Sequence, residues 1–150
     1  MADVLTRIRR DHVRVKELFK EFDGFGPQAS ATRIKLARRI IEQLAVHDRA
    51  EEATLYRLLR SRAAEREARL AVLEALEQHA LADELIRKLL STDPMEDEFD
   101  AKFTILEQSV EQHIKEEEAR VHPVARMLLR PEELDDLGAR FEEAKKQVAV

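Results

Sequence analysis

Cysteine is absent from this 150-residue chain. Without thiols the protein can form no disulfide, zinc–thiolate site, iron–sulfur cluster or thiol nucleophile, so any metal ion must be held by nitrogen and oxygen atoms. Glycine and proline are also scarce, with three and four copies. Because β proteins need such residues for their turns, this scarcity, together with many alanine, leucine, glutamate and arginine residues, predicts an all-α protein.

Long apolar runs and a dominant sign of charge are missing too. No run approaches the roughly 18 apolar residues of a membrane span, and the first ten residues lack the apolar stretch of a signal peptide, so we expect a cytoplasmic protein without membrane contact. The 26 basic and 31 acidic residues are interspersed and give a net charge of −5. This balance argues against binding to nucleic acid through phosphate contacts.

Apolar residues recur at steps of three and four in four long segments, which predicts four helices with one apolar face each. Turns are expected at residues 23–27, where two glycines and a proline occur, near residues 60–65, and at residues 91–94. A further helix is expected from Glu132 to Gln147, with Pro131 as its first residue. We therefore divide the chain into a four-helix bundle, residues 1–128, and a C-terminal helix, residues 129–150, which packs on the bundle or on a partner subunit.

Each of the four long segments carries one histidine on its apolar face. Two of these histidines begin His-x-x-x-Glu motifs that lie 66 residues apart, and the other two precede these motifs by 35 and 34 residues. A spacing of four places an imidazole and a carboxylate on the same side of a helix. Burying such groups costs several kcal/mol unless they are paired or coordinated. The pattern predicts a metal site made of His12, His47, Glu51, His79, His113 and Glu117.

The number of donors indicates how many ions the site holds. Four imidazoles and two carboxylates exceed what one ion requires from the protein, so two ions fit better. Glu51 and Glu117 are then the bridges, and an oxo or hydroxo group with one open position completes each coordination sphere. Mixed imidazole and carboxylate ligation suits iron, with manganese or zinc as alternatives. A hydrogen-bonded polar network without metal is the competing interpretation.

These residues resemble the hemerythrin-like proteins, which contain the HHE cation-binding domain. The resemblance rests on Asp11-His12, His47-x-x-x-Glu51-Glu52, Gln78-His79 and His113-Ile-x-x-Glu117-Glu118, and covers about residues 3 to 128. It implies an antiparallel, up-down-up-down four-helix bundle around a non-haem, carboxylate-bridged di-iron centre that meets O₂, peroxide or nitric oxide. The implied terminal ligands are His12, His47, His79 and His113, and the implied bridges are Glu51 and Glu117.

One position departs from the oxygen carriers of this family. Those proteins have a second histidine four residues after the histidine of the third helix, where this chain has Asp83. Asp83 is therefore open to three interpretations: a ligand, a partner for an imidazole N–H, or an edge residue. A centre with fewer imidazoles favours redox chemistry, sensing or iron handling over reversible O₂ carriage.

The residues that flank the two motifs receive separate expectations. Asp48 is the best placed to reach the metal or to orient an imidazole, whereas Glu52, Glu116 and Glu118 are expected to be solvated charges. Tyr56 and His122 each follow a motif glutamate by five residues, which is about 140° round an α-helix. We therefore expect both side chains to point away from the centre.

Three functions remain open at this point. The first is a protein that binds or senses O₂, nitric oxide or iron through its metal centre, as a monomer or homodimer. The second is a di-iron enzyme that decomposes hydrogen peroxide or reduces O₂. The third is a helical interaction module without metal. The repeat of inward histidines argues against the third but does not separate the first two.

Overall fold

The computed structural model describes residues 2–26 and 30–148, and these residues form helices without any strand. This confirms the predicted all-α class. Between α2 and α3, and again between α5 and α6, the chain passes through a π-helical turn, with bounds Glu52–Tyr56 and Glu117–Val121. The helices are α1 Val4–Asp23, α2 Ala31–Glu51, α3 Arg57–Arg62, α4 Arg66–Leu90, α5 Asp97–Glu116, α6 His122–Leu128 and α7 Pro131–Val148.

The helix ends follow from local sequence signals. Asp3 caps α1 by accepting a hydrogen bond from the Thr6 backbone N–H at 2.9 Å, and Ser30 caps α2 in the same way through the Arg33 N–H at 3.1 Å. The turn at residues 63–65 and the start of α7 at Pro131 lie where the sequence predicted them. In the predicted break at 23–27, Gly26 has a φ of 70°, which favours glycine, and Pro27 lies outside the described residues.

Two apolar clusters fill the interior, and along the chain His12, His47 and His79 each lie between residues of the two, whereas His113 lies near the end of the first cluster. The first cluster joins the later half of α1 and the earlier half of α2 to the later half of α4 and to α5. The second joins the earlier half of α1 and the residues after Ala50 to the start of α4, the end of α6 and α7. A polar layer is therefore enclosed by apolar packing.

The last helix, α7, packs against α1 and α2. Its close approach depends on Gly138, because a Cβ atom there would lie 2.8 Å from the carbonyl oxygen of Ala2. Phe141 of the same helix is fully buried, and its ring meets the ring of His47 edge-on at 5.6 Å. The C-terminal helix thus contacts the polar layer directly.

The inward face of α4 differs from the one that the sequence pattern predicted. The sequence pattern predicts an inward face of Val72, Leu76, His79, Asp83, Ile86 and Leu90. Val72, His79 and Ile86 are buried as predicted and Leu76 is partly buried, but Asp83 is exposed and Leu90 is 70% exposed. The buried face runs instead through Ala71, Val72, Ala75, His79, Ala82, Ile86 and Leu89. Alanine lets neighbouring helices approach closely, so alanine rather than leucine marks this face. None of the helices in the described residues is both long and apolar enough to cross a membrane.

Candidate metal centre

Four imidazoles, one from each of α1, α2, α4 and α5, meet in the polar layer. The ring centroids of His12 and His47 are 5.3 Å apart, and those of His79 and His113 are 4.7 Å apart. All four rings are buried, as are the carboxylates of Glu51 and Glu117. The fold therefore brings together all six residues that the sequence selected.

Their donor atoms form two clusters that share both glutamates. One consists of His12, His47, Glu51 and Glu117, and the other of Glu51, His79, His113 and Glu117. Within each cluster the donor atoms lie within 4.8 Å of one another. Two groups of donor atoms with two carboxylates in common are the arrangement that bridging between two ions would require.

Each imidazole is oriented by a hydrogen bond at its outer nitrogen. The Nδ1 of His47 lies 2.7 Å from Asp11, and the Nδ1 of His12 lies 2.7 Å from Glu118. Acceptors at Nδ1 fix the proton on that nitrogen and leave Nε2 free to coordinate. The same outward contact joins His79 to Glu52 at 2.9 Å and His113 to the side-chain oxygen of Gln78 at 2.6 Å.

Several inner atoms of the layer lack hydrogen-bond partners, whereas the Nε2 atoms of His79 and His113 lie 3.1 Å apart and Oε2 of Glu117 accepts from Tyr56. Buried and unpaired are Nε2 of His12 and of His47, both carboxylate oxygens of Glu51, and Oε1 of Glu117. The distance from His12 Nε2 to Glu117 Oε1 is 3.1 Å, and that from His79 Nε2 to Glu51 Oε1 is also 3.1 Å. Buried polar atoms are rarely left unpaired, and a bound cation satisfies all of these at once.

In the metal-free layer, the electrostatics keep the Glu117 carboxylate ionised and favour protonated imidazoles. Burial alone would raise the pKa of Glu117, but the adjacent imidazoles of His113 and His12 hold that pKa well below its usual value. For His47 the opposite holds: burial lowers the pKa, but Glu51 and Asp11 raise it well above its usual value. In the absence of a cation, protons on the imidazoles balance the charge of the carboxylates, and a bound cation replaces those protons.

The expectation that Tyr56 and His122 point away from the centre is wrong. Both side chains are 1% exposed, and the Tyr56 hydroxyl donates a hydrogen bond to Glu117. The Nε2 of His122 lies 3.7 Å from Oε1 of the same carboxylate. The reason is the π-helical turn after each motif glutamate, because in a π-helix residue i+5, rather than i+4, lies over residue i.

Two of the three acidic residues expected in solvent orient imidazoles instead. Glu52 and Glu118 are partly exposed, but each accepts a hydrogen bond from the histidine of another helix. Glu116 is also partly exposed and accepts hydrogen bonds from two glutamine side chains. A signal was present in the sequence, since Glu52 and Glu118 occupy the same position in the two copies of the motif, directly after the motif glutamate.

The two aspartates with open roles have different environments. Asp48 is 7% exposed, and its Oδ1 lies 3.6 Å from Nε2 of His79, beside the cluster rather than in it. Burial raises its pKa above the usual value. Asp83 is exposed and belongs to neither cluster. Of its three interpretations, the edge residue is the one that this position supports.

A lysine from the last helix completes the surroundings of the centre. Lys145 lies 2.9 and 3.0 Å from the two oxygens of Asp11, which in turn binds His47. Burial would raise the pKa of Asp11, but His47 and Lys145 lower it below its usual value. The sequence interpretation assigned no role to Lys145, because 134 residues separate it from Asp11.

Comparison with known proteins shows which family contains this arrangement of residues. The family model of the hemerythrin HHE cation binding domain matches residues 3–125, whereas no curated protein matches the chain. A hemerythrin HHE cation binding domain-containing protein from Mycobacterium kansasii, a Rv2633c homolog, is a solved structure with 22% identity and a TM-score of 0.83, over 99% of this chain and 88% of that one. At that identity the likeness concerns the fold alone. Because the family model covers residues 3–125, including all four histidines and both shared glutamates, the chain belongs to the hemerythrin HHE cation binding domain family.

Proposed function

We propose that His12, His47, Glu51, His79, His113 and Glu117 hold two iron ions, and that the protein binds or senses O₂, nitric oxide or iron at this centre. The observation that carries the proposal is the sharing of Glu51 and Glu117 between two clusters of donor atoms. Each ion then receives two imidazole nitrogens and an oxygen from each carboxylate. When bound, the ions supply electrons and Lewis acidity to a small ligand.

The proposed architecture is an antiparallel, up-down-up-down four-helix bundle, residues 1–128, with residues 129–150 as an added helix. The composition of the first apolar cluster supports it. The later half of α1 packs there with the earlier half of α2, and the later half of α4 packs with α5, beginning at Phe99 near the start of that helix. Antiparallel neighbours pair in this way, and the pairing places the histidine of each helix in one layer.

Tyr56 and His122 provide one further oxygen and one further nitrogen beside the six proposed ligands. Both ring nitrogens of His122 are buried and unpaired, and the Tyr56 ring lies edge-on to His79 at 5.4 Å. His122 lies nearer to the His12 cluster, since those two rings stack at 6.4 Å. The two ion positions are therefore inequivalent: a third imidazole flanks one, and a phenol flanks the other.

Metal content is the experiment that tests the proposal. Protein purified from iron-replete cells should contain about two iron ions per chain. Glu51→Ala should lose them because both positions share this carboxylate. Glu84→Ala is the matched control, since Glu84 is exposed and pairs only with Arg87 of its own helix. A fully helical protein without bound metal would contradict the proposal and favour the interaction module.

Decomposition of peroxide is a second candidate function, favoured by the Tyr56 hydroxyl. This group is buried in the layer and donates a hydrogen bond to Glu117, so a neutral phenol that can donate a hydrogen bond lies beside the proposed ligands. Its pKa is raised well above the usual value by burial and by the Glu117 charge, which keeps the proton on the oxygen. Oxygen release after addition of hydrogen peroxide measures this activity, and turnover no faster than that of free iron would exclude it.

A further inference from the structure

A cavity of about 650 Å³ adjoins the four imidazoles. Its inner wall contains His12, His47, His79 and His113, so anything that fills it lies against the centre. Side chains of the first apolar cluster form its sides. They are Val15, Leu44, Ala82, Val110 and Ile114.

The size of this cavity does not match a diatomic ligand. A small molecule such as water takes up about 30 Å³, so the space is about twenty times larger than O₂, nitric oxide or peroxide needs. Pockets of about 300–1,000 Å³ are those that hold organic molecules with many non-hydrogen atoms. The volume and the apolar sides together indicate an organic ligand with an apolar body.

The charged residues at the rim of the cavity indicate the sign of the ligand's charge. Arg14, Arg39 and Lys146 line the cavity, are exposed, and have no ion pair or side-chain hydrogen bond within residues 2–26 and 30–148. Lys145, by contrast, is neutralised by Asp11 and Glu142. Glu42 is the acidic rim residue that likewise has no partner there. Asp11, Asp48 and Glu142 also line the cavity, but Asp11 and Glu142 pair with Lys145, and Asp48 is buried beside His79. Among the exposed charges of the lining, the three cations outnumber Glu42, so the outer rim attracts an anion.

We propose that this cavity binds an amphipathic organic anion. Its anionic group lies at Arg14, Arg39 and Lys146, and its apolar body extends between Val15, Leu44 and Val110 toward the imidazoles. Binding itself needs no metal. The role of such a molecule as a ligand presented to the ions rests on the proposed function, and it extends the ligand class beyond diatomic gases and peroxide.

The first experiment measures binding of simple probes to the purified protein by calorimetry. Decanoate should bind at one site per chain, and shortening to octanoate and hexanoate should weaken binding about fourfold for each methylene removed. Decanol and decylammonium, with the same chain but without the negative charge, should bind at least tenfold more weakly than decanoate. Equal binding of the three decyl compounds, or no binding of decanoate, would overturn the proposal.

A matched pair of variants locates the site. Arg39→Glu reverses a charge at the rim, whereas Arg38→Glu reverses the adjacent exposed charge, which does not line the cavity. Arg39→Glu should weaken decanoate about fivefold to tenfold, because it replaces a solvent-screened attraction with a repulsion, and Arg38→Glu should change it less than twofold. Both side chains are exposed, so both variants should fold. Equal losses in the two variants would place the anion elsewhere.

Iron content, measured on the same samples, separates this inference from the proposed function. If the protein contained iron but did not bind decanoate, the cavity proposal would be overturned and the metal proposal would stand. If the protein bound decanoate but contained no iron, the metal proposal would be overturned and the cavity proposal would stand. Ala82→Phe, which fills the cavity from α4, gives an independent check: with the melting temperature retained it should abolish decanoate binding, and unchanged binding would contradict the site.

Discussion

The partners of the four imidazoles repeat in the two halves of the chain. The residue before the first histidine of each half, Asp11 or Gln78, binds the imidazole of the next long helix. The residue after each motif glutamate, Glu52 or Glu118, binds the first histidine of the other half. The halves differ because Asp11 is an anion and Gln78 is neutral. An anionic partner increases the basicity of a coordinating imidazole. His47, which is bonded to Asp11, should therefore be a stronger metal ligand than His113, which is bonded to Gln78.

At the residue scale, Glu52 gives the sharpest prediction. Glu52→Ala removes the acceptor at Nδ1 of His79 and should lower metal affinity about 10-fold to 100-fold. Glu52→Gln should keep most of the affinity, because Gln78 fills the same role for His113 with an amide oxygen. Competition with a coloured chelator measures the metal affinity of both variants.

Glu77→Ala is the control for this series, because Glu77 is exposed and makes no hydrogen bond within the described residues. Its metal affinity should equal that of the parent protein. If Glu52→Ala also kept the parent affinity, the contact between Glu52 and His79 would have no part in metal binding.

The sequence predicted which six residues meet but missed what surrounds them. The six share a repeat and a helical face, and both are local properties that a sequence displays. The contacts of Glu52 and Glu118 join different helices, so they depend on how those helices pack. Lys145 reaches Asp11 from a helix that lies outside the repeat, and no periodicity connects the two.

At the scale of elements, the π-helical turns decide which side chains reach the centre. Each turn contains one residue more than the corresponding turn of an α-helix. The residue five positions after the motif glutamate therefore lies where the residue four positions after it would lie in an α-helix. Tyr56 and His122 therefore both face the Glu117 carboxylate in the polar layer. Both turns occupy the same place in the repeat, and π-helical turns are frequent at functional sites.

Deleting one residue tests this description of the first turn. Removal of Ala53, an exposed residue within it, should convert the turn into α-helix and preserve the face of every residue on either side. The free energy of unfolding should then fall by about 1 kcal/mol or less. Denaturant unfolding followed by circular dichroism measures it.

Removal of Ala80 is the matched comparison, because Ala80 is exposed and follows His79 within regular helix. That deletion rotates the rest of α4 by about 100° and should cost more than about 4 kcal/mol or prevent folding. Equal costs for the two deletions would show that the turn contains no extra residue.

Helix positions were predicted well, and helix faces less well. Capping residues, glycines and Pro131 are local signals, so α1, α2 and α7 begin close to where they were expected. The face of α4 was misjudged because alanine is ambiguous: it suits a solvent-facing position and a close helix contact equally. The π-helical turns had no local signal, since nothing in Glu52–Tyr56 distinguishes it from α-helix.

The contact between α1 and α5 should make stability depend on pH. Burial, and then the neighbouring Asp23, raise the pKa of Glu107 to about 7. The folded protein thus keeps a proton that the unfolded chain has lost between about pH 4.5 and pH 7, so the free energy of unfolding should decrease through that range. The effect should stay below about 1 kcal/mol, because Glu107 is partly exposed and screened by solvent.

Glu107→Gln should remove this decrease. The variant should match the parent protein at pH 5 and exceed it in stability at pH 8, as measured by chemical unfolding at both pH values. Glu98→Gln, on the exposed side of the same helix, is the control and should keep the parent dependence. A parent-like decrease in Glu107→Gln would assign the effect to other groups.

At the scale of the whole molecule, a layer of charge divides the apolar interior. The layer between the two apolar clusters contains carboxylates and imidazoles with unpaired inner atoms. Such groups cost several kcal/mol when buried without partners. The buried layer lowers the free energy of unfolding, and a cation bound to its unpaired atoms raises it again. Stability should therefore depend on metal.

Chelation of the metal should lower the melting temperature of the whole chain. Ions present at about 1,000 times their dissociation constant stabilise the folded state by about 4 kcal/mol, and each kcal/mol shifts the melting temperature of a chain of this size by about 2–4 °C. The metal-loaded protein should thus melt about 8–16 °C above the chelated one in differential scanning calorimetry. Glu51→Ala, which lacks a shared carboxylate, should melt at one temperature with or without chelator. If chelation emptied the parent protein without lowering its melting temperature, the unpaired atoms of the layer would not be those that hold the metal.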